Sequence, residues 1–312
     1  MAEPAEGFER FFERELAPFI EEGEAERRRV LRAALTRGLP VLALGAAGLV
    51  FGFLGGATGD MGSLVQFGSF AALAAGGVLL TTPLARWSRD FSAALSARIF
   101  DHFGYRYSAD VPPGFLDAFG ACRLLPSHDR RSLEDHVEGE VRGVPFALAE
   151  ATLERRVRRD KRDDYDLVFR GLLARYHFPK RFAGRTILRG DQGMFNALGH
   201  AGVPGERVRL EDVRFEKLFE VFSSDQVEAR YLLTPAFMER FVALADKVKA
   251  PIEAAFDGDK LLLAINGRRG YFSQPSPWRD IRRSDHIRAF VEDIALIGEI
   301  AETLKLDTVT KV

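Results

Sequence analysis

The sequence predicts an α+β protein, in which a two-helix transmembrane hairpin with cytoplasmic helical extensions carries a mostly antiparallel-sheet cytoplasmic domain. Three observations support this prediction. Two long uncharged runs lie between residues 38 and 85, apolar residues recur at helical spacing on either side of them, and alternating strand patterns with turn residues fill much of the second half. Strand groups interrupted by helices, without regular strand-helix alternation, are typical of α+β domains.

The two uncharged runs predict membrane spans over residues 38–59 and 61–85. Only Asp60 separates them, and each run reaches the roughly 20 residues that a helix needs to cross a bilayer. A cleaved signal peptide is the competing interpretation. The first run follows a long charged segment and is followed by a second run, which favours two spans with a turn at Asp60.

The flanking charges predict the orientation of the hairpin. Arginines precede the first run and follow the second, whereas the turn between the runs has no Lys or Arg: Arg27, Arg28, Arg29, Arg32, Arg37, Arg86, Arg89 and Arg98. The positive-inside rule then places both termini and the main domain in the cytoplasm. Arginine outnumbers lysine, and Ala, Gly and Leu are abundant, which suggests a bacterial source and therefore the inner membrane. The single cysteine, Cys122, agrees with a reducing compartment because it has no partner for an internal disulfide.

Small residues recur every four positions in both spans: Gly48, Gly52, Gly56, Gly68, Ala72 and Gly76. This spacing lets two helix backbones approach closely and predicts that the two spans pack against each other. A dimer interface and a general richness in glycine are the alternatives. The spans contain no charged residue, which argues against a channel, transporter or proton relay.

Amphipathic helices are predicted on the cytoplasmic side of the spans. Residues 1–37 carry the apolar stripe Phe8, Phe11, Phe12, Leu16, Phe19 and Ile20, and residues 86–108 carry Trp87, Phe91, Leu95, Ile99 and Phe103. We expect these two helices to bury their stripes against each other as a stalk. In the alternative, the first helix lies flat on the membrane. A C-terminal amphipathic helix over residues 284–306, capped by Ser284, is expected to join the stalk.

The cytoplasmic α+β domain is predicted over residues 110–280, beginning near "VPPG". Its expected elements are two strands around Arg142-Gly143 in residues 135–153, strands in residues 167–178 and near Ile187, a helical region at 210–248, and a hairpin at 250–265 with Asp257-Gly258 at its turn. The charged residues 154–166 are expected to form a solvated connection between strands.

Three segments behind the two-span hairpin carry a family resemblance: "VEGEVRGVPFALAEATL", "VFRGLLARYHFPKRFAGRTILRGD" and "FEKLFEVFSSDQVEARYLLTPAFMERF". Together they resemble the bacterial family described as domain of unknown function 3137, over roughly residues 8–265. The most specific part is Phe215 to Phe241. The resemblance implies a membrane protein with a cytoplasmic domain, and it brings no activity or catalytic residues.

The compact motifs of phosphate loops, nucleophile elbows and zinc proteases are absent from the sequence, and we expect no metal or cofactor. The candidate functional residues lie in "SSDQVEARYLLTP" and in a cluster ahead of a strand: Asp225, Gln226, Glu228, Arg230, His128 and His136. A structural explanation competes for each group. Ser223 and Gln226 fit a capping box, Thr234-Pro235 fits a second helix start, and the histidines fit a solvated loop.

The expected function is a membrane-anchored cytoplasmic interaction or assembly module, with a protein partner or a homo-oligomer. A nucleic-acid partner is not expected, because 44 basic residues balance 45 acidic ones. One alternative is a membrane-bound enzyme, possibly hydrolytic, that uses Asp225 and Glu228 or the histidine cluster. Another is a domain that senses anionic lipid through basic segments such as Arg155 to Lys161.

Overall fold

The computed structural model describes residues 10–54, 60–159, 162–178, 181–190, 203–267, 270–272, 276–282 and 300. The chain divides into two units. The first is Met1–Arg98 with Gln274–Ile287, and the second is Ile99–Ser273 with Arg288–Val312. The predicted α+β class is confirmed, since long helices accompany a nine-stranded antiparallel sheet. The predicted helix over 284–306 lies outside the described residues, apart from Ile300, which is helical and buried.

Two long helices form most of the first unit. A π-helical turn, Phe12–Leu16, leads into α1, Ala17–Leu54, and α2 covers Asp60–His102 and enters the second unit. Each helix contains an 18-residue window of mean hydropathy 1.7, so both are long and apolar enough to cross a membrane. At 1.5 Å per residue they exceed the roughly 30 Å of a bilayer core, and each helix therefore continues well beyond its apolar part.

The apolar stripes of α1 and α2 face each other outside the apolar runs, as expected for a stalk. The ring of Phe19 stacks on that of Phe91 with centroids 5.1 Å apart, and Trp87 stacks on Phe91 at 5.3 Å. Leu16 and Leu95 are buried as well. These contacts bury the stripe of α1 against α2.

The end of α2 differs from the prediction of a helix to residue 108. The helix stops at His102, and the backbone turns at Gly104, whose φ is 74°. Tyr105 donates its backbone N–H to the carbonyl of Phe100 at 2.9 Å, a Schellman closure that terminates a helix with a left-handed glycine. Phe103 therefore lies beyond the helix and is 36% exposed, unlike the rest of its predicted stripe.

The second unit is built on one sheet. Its strands are β1 Arg106–Ser108, β2 Arg130–Val141, β3 Val144–Arg159, β4 Arg162–His177, β5 Thr186–Gly190, β6 Glu206–Val208, β7 Phe219–Ser223, β8 Ile252–Asp257 and β9 Lys260–Ile265. The strand order is β1-β2-β3-β4-β9-β8-β5-β7-β6, and all neighbours pair antiparallel. The short helices are α3 Asp117–Ala121, α4 Val213–Glu216 and α5 Gln226–Leu232, and α6 is Pro235–Val248.

Two predicted hairpins are present with turns that fit their sequences. Arg142 and Gly143 join β2 to β3 with φ of 53° and 78°, the positive values that a type I′ turn needs at both central positions. The turn between β8 and β9 lies one residue later than predicted. Asp257 pairs with Lys260, so Gly258 and Asp259 are the central residues.

The charged residues 154–159 and 162–166 form strands, so the prediction of a solvated connection is wrong for these residues. β3 continues to Arg159 and β4 begins at Arg162, and the two strands stay in register across the charged part. Arg156 pairs with Asp163, and Arg159 reaches Asp166 at 2.8 Å. Opposite charges on facing strands stabilise the hairpin where no core supports it.

The predicted helical region at 210–248 contains a strand. Phe215, Phe219 and Phe222 have the spacing of a helical face, but Phe219–Ser223 pairs with both β5 and β6 as β7. The inter-strand hydrogen bonds override the local periodicity. β6 was not predicted, because three residues are too short to show an alternating pattern.

Both faces of the sheet are covered. On one face the segment around α3 packs on β3, β4, β8 and β9 through Phe115, Leu116, Phe119, Cys122, Leu124, Ala149, Leu173, Ala255 and Leu262. On the other face Phe237 of α6 lies 5.7 Å from Phe256 of β8. The strands in the middle of the sheet are therefore nearly continuous apolar runs in the sequence.

Candidate functional site

The joint between β7 and α5 contains the four polar candidates of "SSDQVEARYLLTP". Asp225 is the N-cap of α5, and its Oδ1 accepts from the backbone N–H of Val227 at 2.9 Å and of Glu228 at 3.0 Å. The predicted cap at Ser223 is wrong. Ser223 belongs to β7, where its Oγ lies 2.9 Å from the Thr186 hydroxyl, so the helix begins too late for Ser223 to reach it.

Glu228 connects α5 to the loop that precedes β5. Its carboxylate accepts from the backbone N–H of Ala183 at 2.7 Å and from that of Gly184. A Cβ at Gly184 would lie 2.7 Å from the Cβ of Asp225, so this close approach requires glycine. The first-turn position also places the Glu228 charge at the positive end of the short helix.

Gln226 and Arg230 make local contacts. The amide of Gln226 donates to Glu206 at 3.1 Å, and exposed Arg230 donates to the Gln226 carbonyl at 3.2 Å. The predicted second helix start is confirmed, because Thr234 caps α6 with Pro235 at the first helical position. The structure thus brings the four candidates together as parts of a structural joint.

Sequence reasoning missed the exposed apolar side of α5. Val227 is 74% exposed and Tyr231 is 71% exposed, and they lie one turn apart on the same side of the helix. The four-residue spacing of a valine and a tyrosine between charged residues was the available signal. Together they form the outward apolar pair of α5.

The two histidine candidates have different surroundings. The Nδ1 of His128 lies 3.0 Å from the Pro126 carbonyl in the loop before β2. His136 is buried within β2, so the expectation of a solvated loop is wrong for this residue. The strand bulges between Glu134 and Val137, which turns the His136 ring inward next to Phe115. Burial lowers the pKa of His136.

Two carboxyl groups that the sequence did not single out are partly buried near this bulge. Asp135 accepts from the Tyr107 hydroxyl at 2.6 Å, and Glu150 accepts from the backbone N–H of Tyr271 at 3.0 Å. Burial raises the pKa of both Asp135 and Glu150. No group of three His, Cys, Asp or Glu side chains that could hold a metal ion occurs among the described residues.

A buried ion pair in the first unit joins two neighbouring turns of α1. Glu24 and Arg27 of α1 are 2% and 6% exposed, and the Arg27 Nε and Nη2 atoms donate to the Glu24 carboxylate at 2.8 Å each. Arg28 adds a third donor at 2.7 Å. Hydrogen bonding from Arg27 lowers the pKa of Glu24 to about 2.

The same pair holds a distant segment, residues 276–282, which we call the strap. Arg27 donates to the Pro277 carbonyl at 2.9 Å, and the Ile281 N–H donates to Glu24 at 3.3 Å. Ile281 itself is buried. The charged pair therefore fixes the strap on α1, about 250 residues away in sequence.

Of the six small residues predicted to pack, Gly48, Gly52 and Gly76 lie at the contact between α1 and α2. A Cβ at Gly76 would lie 2.9 Å from the Leu42 backbone nitrogen, and one at Gly52 would lie 3.4 Å from Gln66. Gly48 lies against Ser69, and Ala72 is half-buried. Gly68 meets no atom within 4 Å and faces away, which corrects its predicted packing role.

Two further glycines make this contact and were not predicted. A Cβ at Gly45 would lie 2.9 Å from the Ser69 carbonyl oxygen, and one at Gly38 would lie 3.1 Å from that of Gly76. Gly56 lies outside the described residues. The backbone of α1 therefore approaches that of α2 closely at Gly38 and Gly45, and Gly48 and Gly52 make room for side chains of α2.

Comparison with known proteins finds a similarity to a family without an assigned activity. Residues 167–306 match the family model described as "Protein of unknown function (DUF3137)". No curated protein matches the chain. Among solved structures, the mycobacterial trehalose monomycolate transport factor A is similar with a TM-score of 0.37 and 12% identity, over 68% of this chain and 96% of that one.

Proposed function

We infer that this chain, whose residues 167–306 match the DUF3137 family model, is a membrane-anchored cytoplasmic module that engages a protein partner or assembles with further copies of itself. The observation that carries the proposal is the continuity of α1 and α2. Each helix passes without interruption from its apolar part into a stalk closed by Phe19 and Phe91.

The anchor consists of the predicted spans over residues 38–59 and 61–85, of which residues 38–54 belong to α1 and residues 61–85 to α2. Exposed arginines lie at one end of both parts, and Asp60 lies at the other. The positive-inside rule therefore puts both termini, the stalk and the sheet domain of residues 110–280 on the cytoplasmic side of the inner membrane. Glycine packing joins the two helices in a single hairpin.

The interaction face is the outward apolar pair of α5. Val227 and Tyr231 are each more than 70% exposed on a helix that Asp225 and Glu228 fasten to the sheet. Aromatic residues on a rigid element are typical anchors of protein interfaces, because little conformational entropy is lost when they bind. We therefore place partner or subunit contacts on this side of α5.

The enzymatic alternative finds less support in the joint. Asp225 is occupied by two backbone N–H groups and Glu228 by two more, so both carboxylates have hydrogen-bonding roles in the fold. The basic segment of residues 155–159 is partly neutralised by Asp163 and Asp166, which weakens a lipid-sensing role there.

Site-specific photo-crosslinking in native membranes tests the proposal. A photoreactive side chain at Tyr231 should give one reproducible adduct, either with a second copy or with one partner protein. The same probe at Glu239, an exposed position on α6, is the matched control and should give none. Only monomer at both positions, or the same adducts at both, would contradict an interaction through α5.

A further inference from the structure

A groove of about 730 Å³ lies between α1 and α2 on the stalk side of the apolar runs. Its floor is formed by Gly23, Val30, Pro83, Trp87 and Phe91, and its walls carry charged side chains: Glu22, Glu26, Arg29, Arg86 and Asp90. The volume falls within the range of sites for small ligands.

The charges in the groove form two layers of opposite sign. α1 and α2 run antiparallel, and the contacts of Gly23 with Phe91 and of Gly45 with Leu73 fix their relative position. This register puts Arg29 and Arg86 at one level along the helices. It puts Glu26 and Asp90 at the next level, farther from the apolar runs.

The distance between the layers follows from helix geometry. Arg29 is three residues after Glu26, and Arg86 is four residues before Asp90, which gives about 4.5 to 6 Å along the helix axes. The basic layer is the one nearer the apolar runs. A ligand that satisfies both layers must therefore carry a negative group toward the membrane and a positive group about one helical turn farther out.

The side chains of Glu26, Arg29, Arg86 and Asp90 are exposed and available to a ligand. Within the described part of the chain, none of them forms an ion pair or a side-chain hydrogen bond. Arg28, by contrast, is paired with Glu24 on another side of α1. The groove therefore has charges of both signs that a ligand can neutralise without breaking an existing contact.

The basic layer lies at the level expected of lipid headgroups. Arg86 directly follows the uncharged run of α2, and Trp87 and Pro83 line the groove beside it. A bilayer adds roughly 5 to 8 Å of headgroup region on each side of its hydrocarbon core. Tryptophan and arginine are enriched at this depth.

We propose that the groove binds the headgroup of a zwitterionic phospholipid with a primary ammonium group, as in phosphatidylethanolamine. Arg29 and Arg86 hold the phosphate, and Glu26 and Asp90 hold the ammonium group, with Glu22 behind them. A primary ammonium donates three hydrogen bonds to these carboxylates, whereas a quaternary ammonium donates none. An anionic headgroup leaves the carboxylates unpaired and is repelled by them. This inference rests on the membrane insertion proposed above.

The test uses the full chain in nanodiscs that contain equal amounts of phosphatidylethanolamine, phosphatidylcholine and phosphatidylglycerol. Native mass spectrometry after release counts the lipids that stay bound. The wild-type chain should retain phosphatidylethanolamine about two- to fivefold over phosphatidylcholine, the selectivity expected of partly exposed charge pairs. The double variant E26Q/D90N should lose this preference, and R29Q/R86Q should retain less of every phospholipid.

The matched control is R32Q/R89Q, which removes the same charge from exposed positions at a similar depth outside this groove. It should leave the selectivity unchanged. Preferential retention of phosphatidylglycerol, equal retention of the two zwitterionic lipids by the wild-type chain, or the same loss in the control would overturn the site. A chain that does not enter nanodiscs at all would overturn the membrane anchor as well, which distinguishes the two failures.

Discussion

Replacing Glu24 with glutamine is expected to free the strap, residues 276–282, from α1. The substitution keeps the shape of the side chain but removes the charge that Arg27 and Arg28 neutralise. It also weakens the acceptor of the Ile281 N–H. Arg27 would then remain as a buried guanidinium without a counter-charge, which is costly in a site that is only 6% exposed.

The size of the effect follows from the pKa of Glu24. The fold lowers this pKa from 4.5 to about 2, mainly through the hydrogen bonds from Arg27. At about 1.36 kcal/mol for each pKa unit, the ionised carboxylate stabilises the folded state by about 3 kcal/mol. Losing one partner of a buried ion pair typically costs about 3 to 5 kcal/mol, which agrees in magnitude.

Hydrogen exchange at the Ile281 amide measures the release of the strap directly. That N–H is bound to Glu24 only while the strap is docked. Glu24→Gln should reduce its protection on the order of a hundredfold, the population change that about 3 kcal/mol produces. Glu22→Gln is the matched control, since Glu22 is exposed on the same helix. Unchanged protection in Glu24→Gln, or an equal loss in Glu22→Gln, would refute the assigned role of the ion pair.

The same pair gives the strap a defined pH dependence. Because the folded pKa of Glu24 lies below its unfolded value, the stabilisation is fully present above pH 4.5 and is lost as the pH falls toward about 2. The pKa of Asp280 in the strap is also lowered, by Arg282, so it acts in the same direction. Protection of Ile281 should therefore stay constant from pH 7 to pH 5 and decline below pH 4.5.

Three further outcomes are expected. Gly45→Val should destabilise the packing of α1 on α2 by about 1 to 3 kcal/mol in thermal unfolding in micelles, whereas Gly77→Val, which meets no atom within 4 Å, should not. Asp225→Ala should lower the free energy of unfolding by about 1 kcal/mol, because the N-cap of α5 is lost, and exposed Arg230→Ala should change it by no more than about 0.5 kcal/mol. Equal effects of the two substitutions would contradict the capping role of Asp225. Burial raises the pKa of Cys122 to about 12, so iodoacetamide should label it at pH 8 only after denaturation, and rapid labelling of folded protein would contradict its burial.

The parts of the fold that the sequence predicted are those with strong local signals. Uncharged runs predicted the apolar helices, and positive-φ turn residues such as Arg142 and Gly143 predicted the β2-β3 hairpin. Thr234 and Pro235 predicted the start of α6. Each of these signals acts within a few residues, so no knowledge of the tertiary structure is needed to interpret it.

The failures have a common physical cause, which is that partners distant in sequence decide the outcome. β7 has the apolar spacing of a helix and becomes a strand because β5 and β6 hydrogen-bond to it. The charged part of β3 forms a strand because β4 carries the opposite charges. In the sequence, Glu24 has the pattern of an ordinary surface glutamate of an amphipathic helix. It is buried because the strap, which is distant in sequence, covers it.

The candidate site shows the same division. The sequence located the joint at residues 223–235, but only the structure revealed that Glu228 binds the loop at Ala183 and Gly184. The charge layers of the proposed lipid groove required the register of α1 against α2, which depends on long-range packing of glycines.

Thiol accessibility in intact cells tests the central claim of a two-span anchor with a cytoplasmic sheet domain. Asp60→Cys and Tyr231→Cys, each introduced into a Cys122→Ala background, are treated with a membrane-impermeant maleimide before and after permeabilisation. The account predicts labelling at position 60 in intact cells and at position 231 only after permeabilisation. Labelling of both positions under the same condition, or release of the protein from membranes by carbonate, would contradict it.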